Sequence, residues 1–304
     1  MRPRVAIVTD DPGWHGRRLR QAFAARGFET RYVSLPQCGL VLDGGRAAVR
    51  MPGFDAAVPA GVFVRGVPGG SLEQIIRRLD LLHALRLSGT LVYNDARAIE
   101  RTVDKAMTSL LLRLAGVPTP QSWVLESPSE AEALARQIAA EGGRLVCKPL
   151  FGSQGVGLRR IDDAEHIGLE PAVGGVWYLQ RFVEQPGDPW YDYRVFVIAG
   201  RACAAMRRRN RHWITNRAQG ARCEAVPLDV ELRRLAEAAA AAIDIDYAGV
   251  DLIRGTDGNA TVIEVNGVPA WYGLQRVTEL DIAGALVDHF VARLAAAGRV
   301  EAVP

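Results

Sequence analysis

The spacing of apolar and polar positions changes several times along the chain, and the changes mark its elements. Residues 4–10 (RVAIVTD) form a short apolar run between polar flanks, which predicts a buried strand. Residues 15–26 carry Leu19, Ala22 and Phe23 at helical spacing. Residues 30–35 predict a second strand, residues 36–59 are rich in Gly and Pro with no clear period, and residues 61–67 (GVFVRGV) are strand-like again. Gly69-Gly70-Ser71 breaks the chain and offers Ser71 as N-cap of a helix over 73–87, with Ile75, Ile76, Leu79, Leu82 and Leu85 in register. The apolar face of that helix fits a homodimer contact and core packing equally well. Residues 90–93 predict the next strand. Alternation of this kind predicts a parallel sheet with helices on its faces.

The pattern then shifts. Residues 102–115 predict a helix that stops at Gly116, with Pro118 and Pro120 beyond it. A strand (123–126), a helix (130–141) and a strand (144–150) follow. Next come the glycine-rich loop Phe151-Gly152-Ser153-Gln154-Gly155-Val156-Gly157 and strands over 158–161 and 176–183. Long strands over 193–199 and 202–208 meet at Gly200, and an alanine-rich helix covers 230–243. The turn Thr256-Asp257-Gly258-Asn259 makes the strands 249–254 and 260–265 an antiparallel hairpin. A helix over 282–297 closes the chain, and no internal repeat is present.

Composition narrows the class. With 304 residues, 49% hydrophobic and 23% charged, the chain has apolar surface enough for one to three folded units. Lys+Arg 37 against Asp+Glu 34 leaves a net charge of +3, short of the basic excess that nucleic-acid binding calls for. The one basic cluster is Arg207-Arg208-Arg209 with Arg211, at the end of an apolar strand and with only Trp213 as an aromatic neighbour. One arginine steadying a phosphoryl or acyl-phosphate transition state fits it better than a nucleic-acid patch. Cys38, Cys147, Cys203 and Cys223 form no C-x-x-C pair and match no zinc spacing, as expected of reduced thiols in a cytosolic protein. No apolar run approaches the ~20 residues of a membrane span, and no signal-peptide pattern opens the chain. A cytoplasmic protein without membrane or nucleic-acid partners is therefore expected. His15, His83, His166, His212 and His289 are scattered, no Ser-His-Asp order is recognisable, and the histidines read as structural or surface residues.

Three features carry candidate chemistry. The glycine-rich loop lies between two strands and reads G-x-x-G-x-G, which excludes a P-loop and a dinucleotide-binding fingerprint. It is either an ordinary glycine hairpin or a flap whose backbone N–H groups cover phosphates. Lys148 sits in an otherwise apolar strand and Lys105 near the start of a helix. Each is either a solvated surface charge or a cation delivered into a cleft, where two lysines from separate elements suit a triphosphate. The third feature is the hairpin: Asp251 on one strand, Glu264 and Asn266 on the other. Residues two apart share a strand face, and the hairpin brings Asp251 opposite them. Carboxylates this close among apolar neighbours repel one another unless a cation intervenes, and oxygen ligands of this kind suit magnesium holding substrate phosphates. A solvent-facing hairpin with incidental acids is the plainer alternative.

Taken together and in this order, the two lysines, the glycine flap and the Asp…Glu-x-Asn hairpin resemble the ATP-grasp superfamily. The resemblance runs from about Tyr93 to Phe290 and is closest to the glutamate ligases related to RimK. It is carried by Asp104-Lys105, Gly116-Val117-Pro118-Thr119-Pro120, Lys148-Pro149-Leu150-Phe151-Gly152-Ser153, Asp192-Tyr193-Arg194-Val195, Ala248-Gly249-Val250-Asp251, Glu264-Val265-Asn266 and Asp281-Ile282-Ala283-Gly284. Arg65-Gly66-Val67-Pro68-Gly69-Gly70-Ser71-Leu72-Glu73-Gln74, with Asn94, looks like the tetrahydromethanopterin:glutamate ligase branch, where the acceptor is a pterin one-carbon carrier. The resemblance implies an α/β protein with an α+β C-terminal half. A pre-ATP-grasp parallel-sheet domain would cover 1–95, a central lid subdomain with the flap 96–184, and a C-terminal subdomain with the metal site 185–304.

It also implies roles. Lys105 and Lys148 would bind ATP phosphates under a flap that includes Gly152, Ser153 and Gly155, with Asn216 close to the nucleotide. Gln180, Arg181, Phe182 and Val183 would be the adenine hinge, working through backbone groups. Asp192 would lie near the ribose, and Asp251, Glu264 and Asn266 would hold one or two Mg2+ or Mn2+ ions. Arg208 or Arg209 would steady an acyl phosphate. The implied activity is ATP-dependent joining of a carboxylate to an amine, with L-glutamate and a small-molecule carboxylate acceptor as partners. A RimK-like ligase acting on a protein, peptide or other carboxylate, and a non-catalytic nucleotide-binding regulator, are the alternatives. Two departures from the family pattern lie where acceptor or amino acid should bind. The family's Arg-Ser-Asn reads Ile214-Thr215-Asn216, with Arg211 and Arg217 nearby. The small residue and Pro that usually follow the metal Asn read Gly267-Val268-Pro269, then Ala270-Trp271-Tyr272.

Overall fold

Alternating strands and helices open the chain: β1 (Arg4–Val8), α1 (Gly13–Ala25), β2 (Glu29–Val33), β3 (Gly39–Asp43), β4 (Arg46–Arg50), β5 (Gly61–Val64), α2 (Leu72–Leu87) and β6 (Leu91–Tyr93). The computed structural model describes residues 2–44, 46–54, 58–152, 154–162 and 172–299. Strands β2, β1, β5 and β6, in that order, form a parallel sheet. β5 is buried throughout and β1 from Val5 onward, which is why both read as unbroken apolar runs. Ser71 caps α2: its Oγ accepts from the Gln74 N–H at 3.4 Å, and the Gln74 side chain accepts from the Ser71 N–H at 3.1 Å. The helix buries Leu81, Leu82 and Leu85 against the sheet and leaves Leu72 and Ile76 exposed. The aperiodic stretch 36–59 holds the antiparallel hairpin β3–β4. Most of β3 is exposed, so no buried face imposes a two-residue period there.

The middle comprises α3 (Ala96–Val103), α4 (Lys105–Leu114), β7 (Ser122–Leu125), α5 (Pro128–Ala140), β8 (Leu145–Lys148), β9 (Arg159–Ile161) and β10 (Trp177–Arg181). The single helix expected over 102–115 is in fact the end of one helix and the whole of another. Asp104 takes an extended conformation, and its carboxylate accepts from the N–H groups of Ala106 and Met107 at 2.9 and 3.0 Å. Capping thus starts α4 afresh at Lys105. The strands form an antiparallel sheet in the order β7-β10-β8-β9, with Ala131, Ala135 and Ile138 of α5 packed on Leu145, Cys147 and Leu179.

The last section comprises β11 (Trp190–Ile198), β12 (Arg201–Asn210), β13 (Arg222–Ala225), α6 (Val230–Ile243), β14 (Tyr247–Arg254), β15 (Ala260–Asn266), α7 (Tyr272–Gln275) and α8 (Ile282–Ala296). Its sheet is antiparallel in the order β13-β12-β11-β14-β15. Strand alternation splits the residues between two cores. Val195, Val197, Val250 and Leu252 face α6 through Leu232, Leu235 and Ile243, whereas Phe196, Ile198 and Tyr247 face α1, α8 and the parallel sheet. Each such fully buried Leu or Ile stabilises the fold by roughly 1.5–3 kcal/mol. Short β13 and one-turn α7 escape sequence reading because neither is long enough to show a period. Asn94, just past β6, ties the layers together. Its amide donates to the carbonyls of Tyr247 and Gly267 at 2.8 and 2.6 Å and accepts from the Tyr247 N–H at 3.0 Å. Among the described residues no helix is long and apolar enough to cross a membrane, and no disulfide joins the four cysteines.

Candidate active site

Register on the C-terminal sheet lines up a row of charges on one face. Asp192 of β11 pairs with Arg208 of β12, Arg194 of β11 with Asp251 of β14, and Asp251 with Glu264 of β15. Arg208 donates to both Asp192 oxygens, at 2.7 and 2.5 Å, and lies 3.0 Å from Asp251. Arg194 donates to both oxygens of Asp251 at 2.6 Å. Asp192, Arg194, Arg208 and Asp251 are all buried. Burial works to raise the Asp251 pKa, but the two guanidiniums together hold it below the usual carboxylate value. The cations expected among these acids are thus in part the protein's own. Gly249 makes room for them: a Cβ there would stand 2.9 Å from Pro269 and 3.4 Å from the Arg194 stem.

This row forms one wall of a cleft, and the middle sheet forms the facing wall. Lys148, at the end of β8, donates to the Gln180 side chain at 2.6 Å. Burial pushes the Lys148 ammonium down to about 8, against the pull of Glu264. Lys105, first residue of α4, donates to the Gly152 carbonyl at 2.8 Å, and its pKa is likewise lowered by burial and partly restored by Glu264. The glycine loop folds over the cleft. Gly155 has φ +74, and a Cβ on it would stand 2.6 Å from the Asn216 Oδ1. No other residue type fits both constraints without strain.

Lys105, Lys148, Gly152, Gly155, Gln180, Arg181, Phe182, Val183, Asp192, Arg208, Asn216, Asp251 and Glu264 all line this cleft. Ser153 lies outside the described residues. Arg209 does not join: neighbours on a strand face opposite ways, and Arg209 points with Arg207 to Glu224, at 3.4 and 2.8 Å. That alternation accounts for the basic run, one arginine inside and its neighbours paired outside. The Arg181 side chain turns away to Glu141 at 2.8 Å, so this residue meets the cleft with its backbone. The Gln180 side chain, expected to be secondary to its backbone, is buried and holds Lys148, Ser122 and Tyr178.

The donor set fits a hard cation. Among the described residues no group of three or more His, Cys, Asp or Glu is placed to hold a metal. The set here is two carboxylates and one amide. Glu264 has no hydrogen bond or ion pair among the described residues. Asn266 is held by its Nδ2 on the Gly249 carbonyl at 3.1 Å, which leaves its oxygen for a ligand. Asp251 Oδ1 accepts one hydrogen bond and keeps a second lone pair.

Sequence reasoning missed three contributors. Arg194 was noted only as part of a motif. Trp190 and Trp213 stand edge-on to Phe182, with ring centroids 5.7 and 6.0 Å away, and give the cleft an aromatic end. A signal existed: aromatic residues at the start of one strand and beyond the end of its partner must converge when the hairpin closes.

The RimK-like ATP-grasp domain model matches residues 102–290. The chain is 35% identical over 233 residues to the tetrahydromethanopterin:alpha-L-glutamate ligase of Methanococcus maripaludis, covering 75% of this chain and 77% of the relative. It is 30% identical over 300 residues to a "probable alpha-L-glutamate ligase" of Teredinibacter turnerae, covering 94% of each. Among solved structures, the ATP-grasp ligase PsnB complexed with a minimal precursor superposes with a TM-score of 0.75 at 25% identity, covering 96% of this chain and 100% of that one. With the fold, the cleft and these relatives in agreement, the chain belongs to the RimK-like ATP-grasp family and is an ATP-grasp ligase.

Proposed function

We propose that the protein joins the amino group of L-glutamate to a carboxylate of a small acceptor of the tetrahydromethanopterin type, with ATP consumed through an acyl phosphate. The observation that carries this reading is the convergence of Lys105, Lys148, Arg208, Asp251 and Glu264 on one cleft with an aromatic end, with Asn266 two residues beyond Glu264 on the same strand. The aromatic rings and the apolar side chains of Ile253 and Ile263 suit an adenine base. Lys105 and Lys148 bind the phosphates, and Asp251, Glu264 and Asn266 hold magnesium. Magnesium, when bound, neutralises the developing phosphate charge. Arg208, fixed by Asp192 and Asp251, presents a guanidinium of unvarying charge to the transferring phosphoryl group. The acceptor carboxylate attacks the γ-phosphate, ADP leaves, and the glutamate amine displaces phosphate from the acyl phosphate to form the amide. The glycine loop excludes water, which would otherwise hydrolyse that intermediate. No side-chain nucleophile is needed, in keeping with the scattered histidines.

The choice of acceptor is supported by the Methanococcus maripaludis relative and by the stretch from Arg65 to Gln74 with Asn94. A second reading, a ligase acting on a peptide, is favoured by the likeness to PsnB, whose complex holds a minimal precursor. The test is ADP release with Mg2+, ATP and L-glutamate, with and without a tetrahydromethanopterin acceptor, and with mass spectrometry of the acceptor. Acceptor-dependent ADP with a glutamyl mass increment supports the proposal. ADP release driven only by peptide acceptors moves the assignment to the second reading.

A further inference from the structure

Beyond the nucleotide cleft, a second group of cations surrounds the loop that follows Asn266. Arg65 stands at the carboxyl end of β5, where its N–H continues the parallel sheet by donating to the Val8 carbonyl at 2.9 Å. Crevices at the carboxyl ends of parallel strands are where α/β proteins bind ligands. The Arg65 guanidinium lies 5.3 Å from the Trp271 ring, and its one hydrogen bond runs to the Val268 carbonyl at 3.4 Å. Its Nε is fully buried and has no hydrogen-bond partner among the described residues. Arg217 lies 4.8 Å from the ring of the adjacent Tyr272, and Arg276 lies 5.8 Å from the same ring. None of the three pairs with a carboxylate among the described residues, unlike Arg194 and Arg208 of the nucleotide wall.

A guanidinium has five donors in a rigid fork, and leaving them unmet in a partly buried place, as at Arg65, is costly. His15 records the field these charges make. It sits between Trp14 and Trp271 and accepts the N–H groups of Trp271 and Tyr272 on Nε2 at 3.1 and 3.2 Å. Burial, with Arg65 and Arg217 adding to it, lowers its pKa to about 4. A neutral histidine therefore pins the loop while the arginines beside it keep their charge for something else.

We infer that Arg65 and Arg217 bind the spectator carboxylates of the amino-acid substrate, and so select a dicarboxylic amine such as L-glutamate. This rests on the ligase reading above. In that reaction the acceptor carboxylate is consumed beside Lys148 and Arg208, whereas both carboxylates of glutamate survive. They need cations that lie outside the nucleotide cleft yet next to the Asn266 end of it. Arg65 meets both conditions, since it does not line the nucleotide cleft and touches Val268, two residues beyond Asn266; Arg217 stays outside the cleft beside Asn216, which lines it, and lies over the Tyr272 ring of the same loop. Arg65 is a positioning and specificity residue that touches substrate away from the reacting atoms.

The test is calorimetric titration of L-glutamate into the full chain loaded with Mg2+ and the non-hydrolysable analogue AMPPNP. R65A and the exposed-site variant R217A should each bind glutamate about 10- to 100-fold more weakly, the scale of a lost charge-assisted contact, with AMPPNP affinity unchanged. R65K should fall between wild type and R65A. One of the two amides, L-glutamine or L-isoglutamine, should bind wild type and R65A equally, which marks the carboxylate that Arg65 meets. Equal glutamate affinity in wild type and both variants, equal weakening for all three amino acids, or no glutamate binding by wild type would each overturn the inference. The ligase reading is judged separately by ADP release. Glutamate-dependent turnover with R65A affinity unchanged removes Arg65 alone. Glutamate binding that R65A abolishes, in a protein that releases no ADP, removes the ligase reading alone.

Discussion

Arg194 and Asp251 form a two-pronged ion pair, both contacts at 2.6 Å, inside the sheet that forms the catalytic wall. The pair comes from strand register, since Arg194 of β11 lies directly opposite Asp251 of β14. Removing Arg194 leaves the buried Asp251 with the Arg208 contact at 3.0 Å alone, which costs about 1–3 kcal/mol. R194M should therefore lower unfolding stability by that amount in urea titration, whereas the double variant R194M/D251L should recover most of it without activity. The acid limb follows from the same pair. Because Asp251 has a depressed folded-state pKa, its contribution is present above the unfolded carboxylate value of about 3.9 and is lost as pH falls through the folded value. R194M should move the acid transition to higher pH. A loss under 1 kcal/mol with an unmoved acid limb would show that the fork adds little.

Glu264 is the carboxylate of the row without a partner among the described residues, so its role should be chemical rather than structural. E264Q keeps size and shape and removes one charge. ADP release should fall at least about 100-fold, no less than the upper end of what losing a group that merely supports a metal ligand costs. Circular dichroism and the thermal midpoint should stay at wild-type values. Chelation of Mg2+ from wild type should reproduce the kinetic loss. Near-normal turnover in folded E264Q would remove Glu264 from the metal set.

Periodicity revealed the elements whose faces differ in burial and was silent where they do not. The buried strands β1 and β5 and the helix α6 stand out because their apolar spacing follows the fold. The hairpin β3–β4 stayed hidden because most of β3 is exposed, and the break at Asp104 because a capping side chain leaves no gap in the apolar pattern. At the site, the residue types and their order were legible: Lys105, Lys148, Asp251 and Glu264 meet in one cleft. Which charge pairs with which was not. That Arg208 turns inward while Arg209 pairs with Glu224 depends on the register of β12 against β11 and β13, a long-range property.

Lys148 should make nucleotide binding depend on pH. Burial sets its free-state pKa near 8, and bound phosphates favour the charged form and raise that value. Between the free and bound values the complex holds more protons than the free protein, so affinity falls as pH rises through that window. Calorimetry of AMPPNP with Mg2+ should give a constant Kd below about pH 7 and up to about a tenfold loss per pH unit above 8. K148A should bind weakly at every pH. K148R should lose the pH dependence, because a guanidinium stays charged throughout. An identical alkaline decline in K148R would assign the titration to another group.

Gly155 joins the flap to the nucleotide wall at a point with no spare volume. Its φ of +74 disfavours a side chain, and a Cβ would stand 2.6 Å from Asn216 Oδ1 and 2.9 Å from Ile214. G155A should cost about 1–3 kcal/mol of local strain, which the loop relieves by lifting away from Asn216. Because such openings are local, the global thermal midpoint should barely move. Two kinetic changes should follow from a flap that no longer seals. The KM for ATP should rise about tenfold, as expected for roughly 1.4 kcal/mol of lost closure. The ratio of ADP released to amide formed should climb above one, because water reaches the acyl phosphate before the amine does. A G155A protein with raised KM but strict one-to-one coupling would show that the loop binds nucleotide without guarding the intermediate.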